Sequence, residues 1–478
     1  MMEFEAIIGL EIHAELNCPT KLFCDCPNRP GDAPNANTCP VCLWFPGAVP
    51  RLSREALEKA SLLCLSLGAE LQAQSAFDQK VYYYPDLPKG YQLSQVHLPL
   101  SRGGGIDLAD LNGTVKKLRI HHIHMEEDVA RLVHEMESGA SVSLVDFNRA
   151  GVPLVEIVTE PDFRSPFEAT EFIRALRARV RHAGSSDCSM ESGTMRVDAN
   201  ISIREKGAVQ MNTKVEVKNM NSIRHVGDAI AFEIERQIAC VQAGDDVVLH
   251  TRLWDPEKKV TLPMRAKFEG PCIPDPIVPV IELSEEWIER VRSRLPEMPS
   301  TKAERFVAQY GLTEKEAVSL CTEPETAGYF EALLAHGIAP RAAMHWLMTQ
   351  LLPSARERRL ELCASTVTPD RFAALLHMLS HDEINAKSAR EVMISMFEND
   401  EMPESIVDSR GVRQVSDNRA LGEMIEKVME SHPEAVADII NGEQKAIGYL
   451  IGQVMRASAG TANPKIIGEM IKKRFAGD

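Results

Sequence analysis

Met195-Arg196-Val197-Asp198-Ala199-Asn200-Ile201-Ser202-Ile203-Arg204 alternates without a fault, with Arg196, Asp198, Asn200, Ser202 and Arg204 at one parity and apolar residues at the other. Successive side chains of an extended chain point to opposite faces, so this stretch predicts a strand lying on a core with a charged outer face. Lys214-Val215-Glu216-Val217-Lys218 repeats the scheme, with Lys214, Glu216 and Lys218 on the polar side. Together they predict a polar floor. Its cations Arg196, Arg204, Lys214 and Lys218 suit phosphate, and its carboxylates suit a divalent ion held between them. A sheet whose outer face is simply solvated would show the same alternation.

The same period recurs towards the N-terminus. Gly9-Leu10-Glu11-Ile12-His13-Ala14-Glu15-Leu16 sets Glu11, His13 and Glu15 against Leu10, Ile12, Ala14 and Leu16, and Ile120–Asp128 sets His122, His124 and Glu126 on one side. Val152-Pro153-Leu154-Val155-Glu156-Ile157-Val158 holds one carboxylate in an otherwise apolar strand. A buried acid is costly unless it is paired or bound to a cation, so Glu156 calls for a partner. Phe77-Asp78-Gln79-Lys80-Val81-Tyr82-Tyr83-Tyr84 adds a cation, Lys80, and gathers three of the seven tyrosines, which equally suits a buried aromatic corner. No GxxxxGK[ST] loop is present, and Gly103-Gly104-Gly105 is a loop triplet without a following helix signal.

Working outward, strands broken by Gly, Pro and Asn turns fill the chain up to about residue 295, with helical patterns at Arg51–Leu67, Pro166–His182 and Gly227–Gln242. The expected fold class is α+β. It comprises a large antiparallel-sheet, cradle-like domain over 1–295, an all-helical domain over 296–406 and a small helical tail over 407–478. Thr301 to Glu304 and Thr313 to Glu316 fit capping boxes, Thr368-Pro369 fits a helix start, and the acidic, Pro- and Gly-containing stretch Glu398–Asp417 reads as a linker.

Four of the eleven cysteines cluster as Cys24-x-Cys26 and Cys39-x-x-Cys42. Two close thiol pairs can complete a tetrahedral shell around Zn²⁺ and fix the Pro-, Gly- and Asn-rich loop Pro27–Thr38, although four incidental thiols would leave the same trace. Cys64, Cys188, Cys240, Cys321 and Cys363 read as small core fillers. With 478 residues, 44% hydrophobic and 26% charged, the chain is neither disordered nor collagenous, and no apolar run has the length of a membrane-spanning helix. Its opening residues lack the pattern of a secretory signal, so a cytoplasmic location is expected. A net charge of −16 argues against coating nucleic acid through bulk charge but allows a local basic site.

Ile8-Gly9-Leu10-Glu11-Ile12-His13, the cysteine quartet with Cys39-Pro40-Val41-Cys42-Leu43, His124-Met125-Glu126-Glu127-Asp128 and Asn148 to Val158 resemble motifs of the B subunit of the aspartyl/glutamyl-tRNA amidotransferases (GatB). So do Met195 to Arg204, Val217 to Ser222, Gly448 to Met455 and Ala462-Asn463-Pro464, and the likeness runs the length of the chain in order. It implies ATP-dependent phosphorylation of the side-chain carboxylate of Glu-tRNA(Gln) or Asp-tRNA(Asn), then amidation by ammonia. It further implies Glu11, His13, Glu126 and Glu156 on a catalytic Mg²⁺, with Mn²⁺ as a substitute better suited to imidazole. Lys80 and Tyr82 would line the reaction site, Asp198 and Asn200 would floor it, and Cys24, Cys26, Cys39 and Cys42 would hold a structural zinc. No amidase signature is present, so the resemblance calls for two partners, a glutaminase (the family's A subunit) with a small clamp (its C subunit). The alternative implied is a tRNA-binding scaffold without the kinase step.

From Gln444 onward Lys445, Arg456, Lys465, Lys472, Lys473 and Arg474 face only two acids, Glu469 and Asp478, so the tail is where tRNA is expected to dock. Several positions depart from the family pattern, among them Val129-Ala130-Arg131 in place of Ala-Gly-Lys and Thr461 in place of lysine. Trp44 stands where glycine is usual, His122 where arginine is usual and His345 where asparagine is usual. The stretch Met264 to Pro276 also differs from the Asp-Tyr-Arg-Tyr-Phe-Pro-Glu-Pro-Asp pattern usual there.

Overall fold

A computed structural model of the chain describes residues 3–110, 113–137, 140–264, 270–414, 418–441, 443–458 and 461–475. Residues 265–269, the centre of the altered stretch, and 415–417, the end of the expected linker, lie outside these. The fold is mixed α and β. It divides into two compact units, Met1–Thr301 and Lys302–Asp478.

The first unit is built on a 14-stranded sheet among the described residues. Its main path runs Val260–Pro263, Thr251–Asp255, Val215–Lys218, Met195–Glu205, Phe4–Glu15, Pro153–Thr159, Val115–Glu127, Tyr91–Leu98, Gln74–Val81, Cys272–Pro274. Pairing is antiparallel except between Val215–Lys218 and Thr251–Asp255. The alternation decides which face is which. Leu10, Ile12, Ala14, Val155, Ile157, Ile123, Met125, Val197, Ala199 and Ile201 are all buried in one apolar cluster. That cluster is closed by Phe172, Ile173 and Leu176 of the helix Pro166–His182 and by Val226, Ala229 and Ile230 of the helix Ile223–Gln242. Both helices start on a serine, Ser165 or Ser222, whose hydroxyl accepts from the backbone N–H three residues on. The opposite face is left for charged residues.

The glycine triplet serves packing. A Cβ on Gly104 would sit 2.7 Å from the Leu67 carbonyl oxygen, and one on Gly105 2.6 Å from that of Leu118. Gln74–Val81 places Lys80 opposite Gln92, and the strand Val215–Lys218 starts one residue later than expected, leaving Lys214 exposed before it.

The second unit is helical throughout its described residues. One apolar cluster holds Phe306, Phe330, Leu351, Phe372 and Met396. A separate one holds Leu421, Ile425, Leu450, Val454, Ile467 and Ile471, from the helices Asn418–Ser431, Gln444–Ala457 and Pro464–Phe475. Three expectations are corrected here. Helix Pro299–Tyr310 starts before Thr301, because Pro299 already supplies the preset φ of a first helical residue. The capping box at Thr313 forms, whereas Thr368 heads its helix without a side-chain cap. The expected linker contains the helix Pro403–Arg410, which buries Ile406 and Val407 and ends on Gly411 in the left-handed region. No helix among the described residues is long and apolar enough to cross a membrane.

Candidate active site

Strand register brings the charged residues together. Arg196 lies opposite His13, His13 opposite Glu156, and Glu156 opposite His124, giving one row across four strands. The next row sets Asp198 against Glu11. Partners in such pairs hold their Cβ atoms about 5 Å apart, within reach of hydrogen bonds between long side chains.

His13 is the hub of the first group. Its Nε2 lies 3.2 Å from Glu126 Oε1 and 3.5 Å from Glu156 Oε2, and His124 Nε2 lies 3.1 Å from the same Glu156 oxygen. Burial opposes the charge on His13, but the two carboxylates outweigh it and raise its pKa to about 10. Burial likewise opposes the charge on Glu156, and the two imidazoles hold it well below the usual carboxylate range. One ligand atom from each of His13, Glu126 and Glu156 falls within 4.8 Å of the others. An imidazole and two carboxylates at that spacing fit a divalent ion, which would take the place of the proton on His13.

Glu11 is not in this group. It joins Asp198 and Glu216, again within 4.8 Å, because its register partner is Asp198 on the other side of the Phe4–Glu15 strand. Asn200 Nδ2 donates to Glu11 Oε1 at 2.9 Å, while Lys218 pairs with Asp198 and, at 3.0 Å, with Glu216. Burial, then the Glu156 charge, raises the Glu11 pKa despite that hydrogen bond. The expected ligand quartet therefore resolves into three residues plus a neighbour in a second acidic group.

The remaining candidates divide. Arg196 reaches Asp128 Oδ1 at 3.1 Å and borders the first row. Tyr82 is half-buried, and its hydroxyl is pushed up by burial and by Asp86, Glu126 and Asp128. Lys80 shares the face of Glu126, two strands across and two residues along, at about 12 Å by strand spacing and rise. Arg204 is removed from the site. It is committed to Glu5 at 2.7 Å, six residues from Asp198 and so about 20 Å along the strand. Lys214 is also outside the sheet face, as its strand begins at Val215.

Sequence reading placed His124 and Glu216 on the right faces without assigning them to the site. The period-two signal was available for both, but the order of strands was not. His122 stacks on His124 with centroids 5.2 Å apart, and burial with its histidine neighbours lowers its pKa to about 4.

The cysteines form the second constellation. The Sγ atoms of Cys24, Cys26, Cys39 and Cys42 lie within 4.8 Å of one another, and all four are free thiols. Cys39 and Cys42 are 3.9 Å apart. That compares with the edge of about 3.8 Å in a tetrahedron whose metal–sulfur bonds are ~2.3 Å, so the donor set fits zinc. Asn35 and Asn37 tie the intervening loop to Asp146, Phe147 and Asn148, ahead of the strand carrying Glu156. Trp44 sits at φ 56°, the left-handed region that explains the family's glycine. Its ring meets Tyr91 edge-on at 5.6 Å, and Lys89 Nζ lies 5.4 Å from both centroids. Of the other cysteines, Cys64, Cys188 and Cys321 are buried, but Cys363 is exposed and Cys240 only partly covered, which corrects their reading as core fillers.

Comparison with known proteins agrees with these motifs. Residues 6–289 match the model of the GatB/GatE catalytic domain, and residues 328–475 that of the GatB domain. The chain is 71% identical over 474 residues to the aspartyl/glutamyl-tRNA(Asn/Gln) amidotransferase B subunit 1 of Syntrophus aciditrophicus, covering 99% of both chains. It is 42% identical over 483 residues to the corresponding B subunit of Thermotoga maritima and 40% over 480 to that of Carboxydothermus hydrogenoformans, covering both chains fully in each case. With two family domains in order and relatives matched from end to end, the chain belongs to the GatB family, the B subunits of the aspartyl/glutamyl-tRNA(Asn/Gln) amidotransferases.

Proposed function

We propose that this chain phosphorylates the side-chain carboxylate of Glu-tRNA(Gln), Asp-tRNA(Asn) or both at the expense of ATP and then converts the acyl phosphate to the amide. A carboxylate oxygen attacks the γ-phosphorus, the bond to the bridging oxygen breaks and ADP leaves. Ammonia then attacks the acyl carbon, inorganic phosphate departs, and the nitrogen loses a proton.

The observation that most supports this reading is the meeting of His13, Glu126 and Glu156 on a sheet face that also presents Arg196, Asp198 and Lys218. His13, Glu126 and Glu156 would hold the divalent ion, which when bound neutralises charge on the phosphoryl oxygens. Glu11, two residues before His13 on its strand, and Asn200 from the next strand would border it. Arg196 would offer a cation to the same oxygens, and Asp128 fixes the direction of its guanidinium. Lys80 and Tyr82 would close the far side.

Ammonia would come from a glutaminase partner, the A subunit of the family's complexes, held with this chain by the small C subunit. The charged tRNA would be gripped by the tail, where Lys445, Arg456, Lys465, Lys472, Lys473 and Arg474 are all exposed, and only Arg474 has an ion-pair partner among the described residues, Glu426.

The test is ADP release and amide formation on each charged tRNA, with the glutaminase partner present. Glu126→Gln should abolish both while tRNA binding persists. Full tRNA binding with no ADP release from the unaltered complex would establish the scaffold reading instead.

A further inference from the structure

We propose that Lys21 is the built-in counter-charge of the four-cysteine centre and sets how firmly that centre keeps its metal. The inference rests on reading the quartet as a zinc site. Lys21 is 0% exposed, yet its Nζ has no carboxylate in ion-pair range among the described residues. Its contacts are Cys42 Sγ at 3.6 Å and the Phe147 carbonyl oxygen at 3.0 Å. An ammonium removed from water is costly unless an anion faces it, and a carbonyl with a neutral thiol is poor compensation.

The missing anion is supplied if the sulfur belongs to a metal thiolate. Four thiolates around one Zn²⁺ leave a net charge of about −2 in a half-buried pocket, a burden as unfavourable as the lone ammonium. Placed together, each offsets the other. The hydrogen bond draws charge from Cys42 and makes the cluster harder to protonate and open.

The stem of Lys21 is fixed as firmly as its head. Its backbone N–H donates to the Cys26 carbonyl at 3.0 Å, and that of Leu22 donates to the Gly151 carbonyl at 2.7 Å. Gly151 has φ 86°, and a Cβ there would lie 3.6 Å from Lys21 Cδ and 3.8 Å from Cys42 Cβ. Lys21 thus joins the cysteine loop to the 147–151 turn that leads into the strand bearing Glu156. It is a positioning residue and touches no reacting atom.

The experiment uses the full-length chain as wild type, Lys21→Met, Lys21→Gln and Lys21→Arg. Zinc content is measured by elemental mass spectrometry, and zinc release to excess chelator is followed with a pyridylazo dye. Lys21→Gln keeps a donor for the Phe147 carbonyl, so it preserves that tie even if Lys21→Met fails to fold. Both neutral variants should release zinc at least about tenfold faster than wild type, with unchanged far-ultraviolet circular dichroism, and Lys21→Arg should stay near the wild-type rate. Wild-type release from Lys21→Gln, or release from Lys21→Arg as fast as from Lys21→Gln, would overturn the proposal. A wild-type chain that binds no zinc at all would instead overturn the site reading on which it stands.

Discussion

The His13, Glu126 and Glu156 group and the Glu11, Asp198 and Glu216 group lie on one face of one sheet, and the Phe4–Glu15 strand supplies a member to each. Both bring acids close together, but they are neutralised by different means. The first is balanced by imidazoles, whose protons can leave, and the second by the ammonium of Lys218 with an amide from Asn200. An imidazole can give up its proton and become a metal ligand, whereas an ammonium paired with two carboxylates occupies the place a metal would take. On the function proposed above, the first group would be the exchangeable site and the second its fixed wall.

The contrast breaks most visibly in turnover. Glu156→Gln should lower ADP release by about 10³-fold, the scale of losing a charged contact made in the transition state, while Glu216→Gln should cost less than about tenfold. Equal losses would mean that both groups hold reacting species. Lys218→Met should destabilise the chain by about 2 kcal/mol in urea melts, because Asp198 and Glu216 would face each other uncompensated in a half-buried place. Adding Asp198→Asn should recover much of that; a double variant as unstable as the single one would show that packing, not charge, is lost.

A smaller effect should appear with pH in metal-free protein. His13 has its folded pKa raised from 6.5 to about 10, so its pairing contributes stability that is whole below pH 6.5 and drains as pH climbs towards 10. Thermal melts across that interval should fall for wild type and flatten in His13→Gln, and saturating Mn²⁺ should suppress the slope by replacing the proton. An identical slope in His13→Gln would assign the effect to another group. Asn200→Ala is the mildest test, expected to cost about 1 kcal/mol through the hydrogen bond to Glu11, with turnover within a few-fold of wild type.

Much of this was legible beforehand, and the limits have physical causes. Parity along a strand is local, so the faces of Glu11, His13, Glu126, Glu156, Asp198 and Glu216 could be read directly. Which strands pair is a long-range outcome. That Glu11 lies beside Asp198 and Glu216 could therefore not be read, nor that Arg204, on the same face, lies at the far end of its strand. The parallel pairing of Val215–Lys218 with Thr251–Asp255 left no local mark either. The short helix Pro403–Arg410 escaped because eight residues hold too few turns to establish a period. Lys21 was invisible as a functional candidate, since a single lysine before a cysteine pair says nothing about burial.

The row Arg196, His13, Glu156, His124 has a consequence for how the sheet assembles. If any of these four strands settled one residue out of step with its neighbours, its ionisable groups would be pressed into the oily layer beneath and its aliphatic ones turned out to water. The polar residues therefore act as alignment pins during folding, whatever they do afterwards. Replacing several of them at once with alanine or leucine, as a designer of a stable inactive template would be tempted to do, removes the penalty against mispaired strands and invites aggregation of a chain that looks better packed on paper.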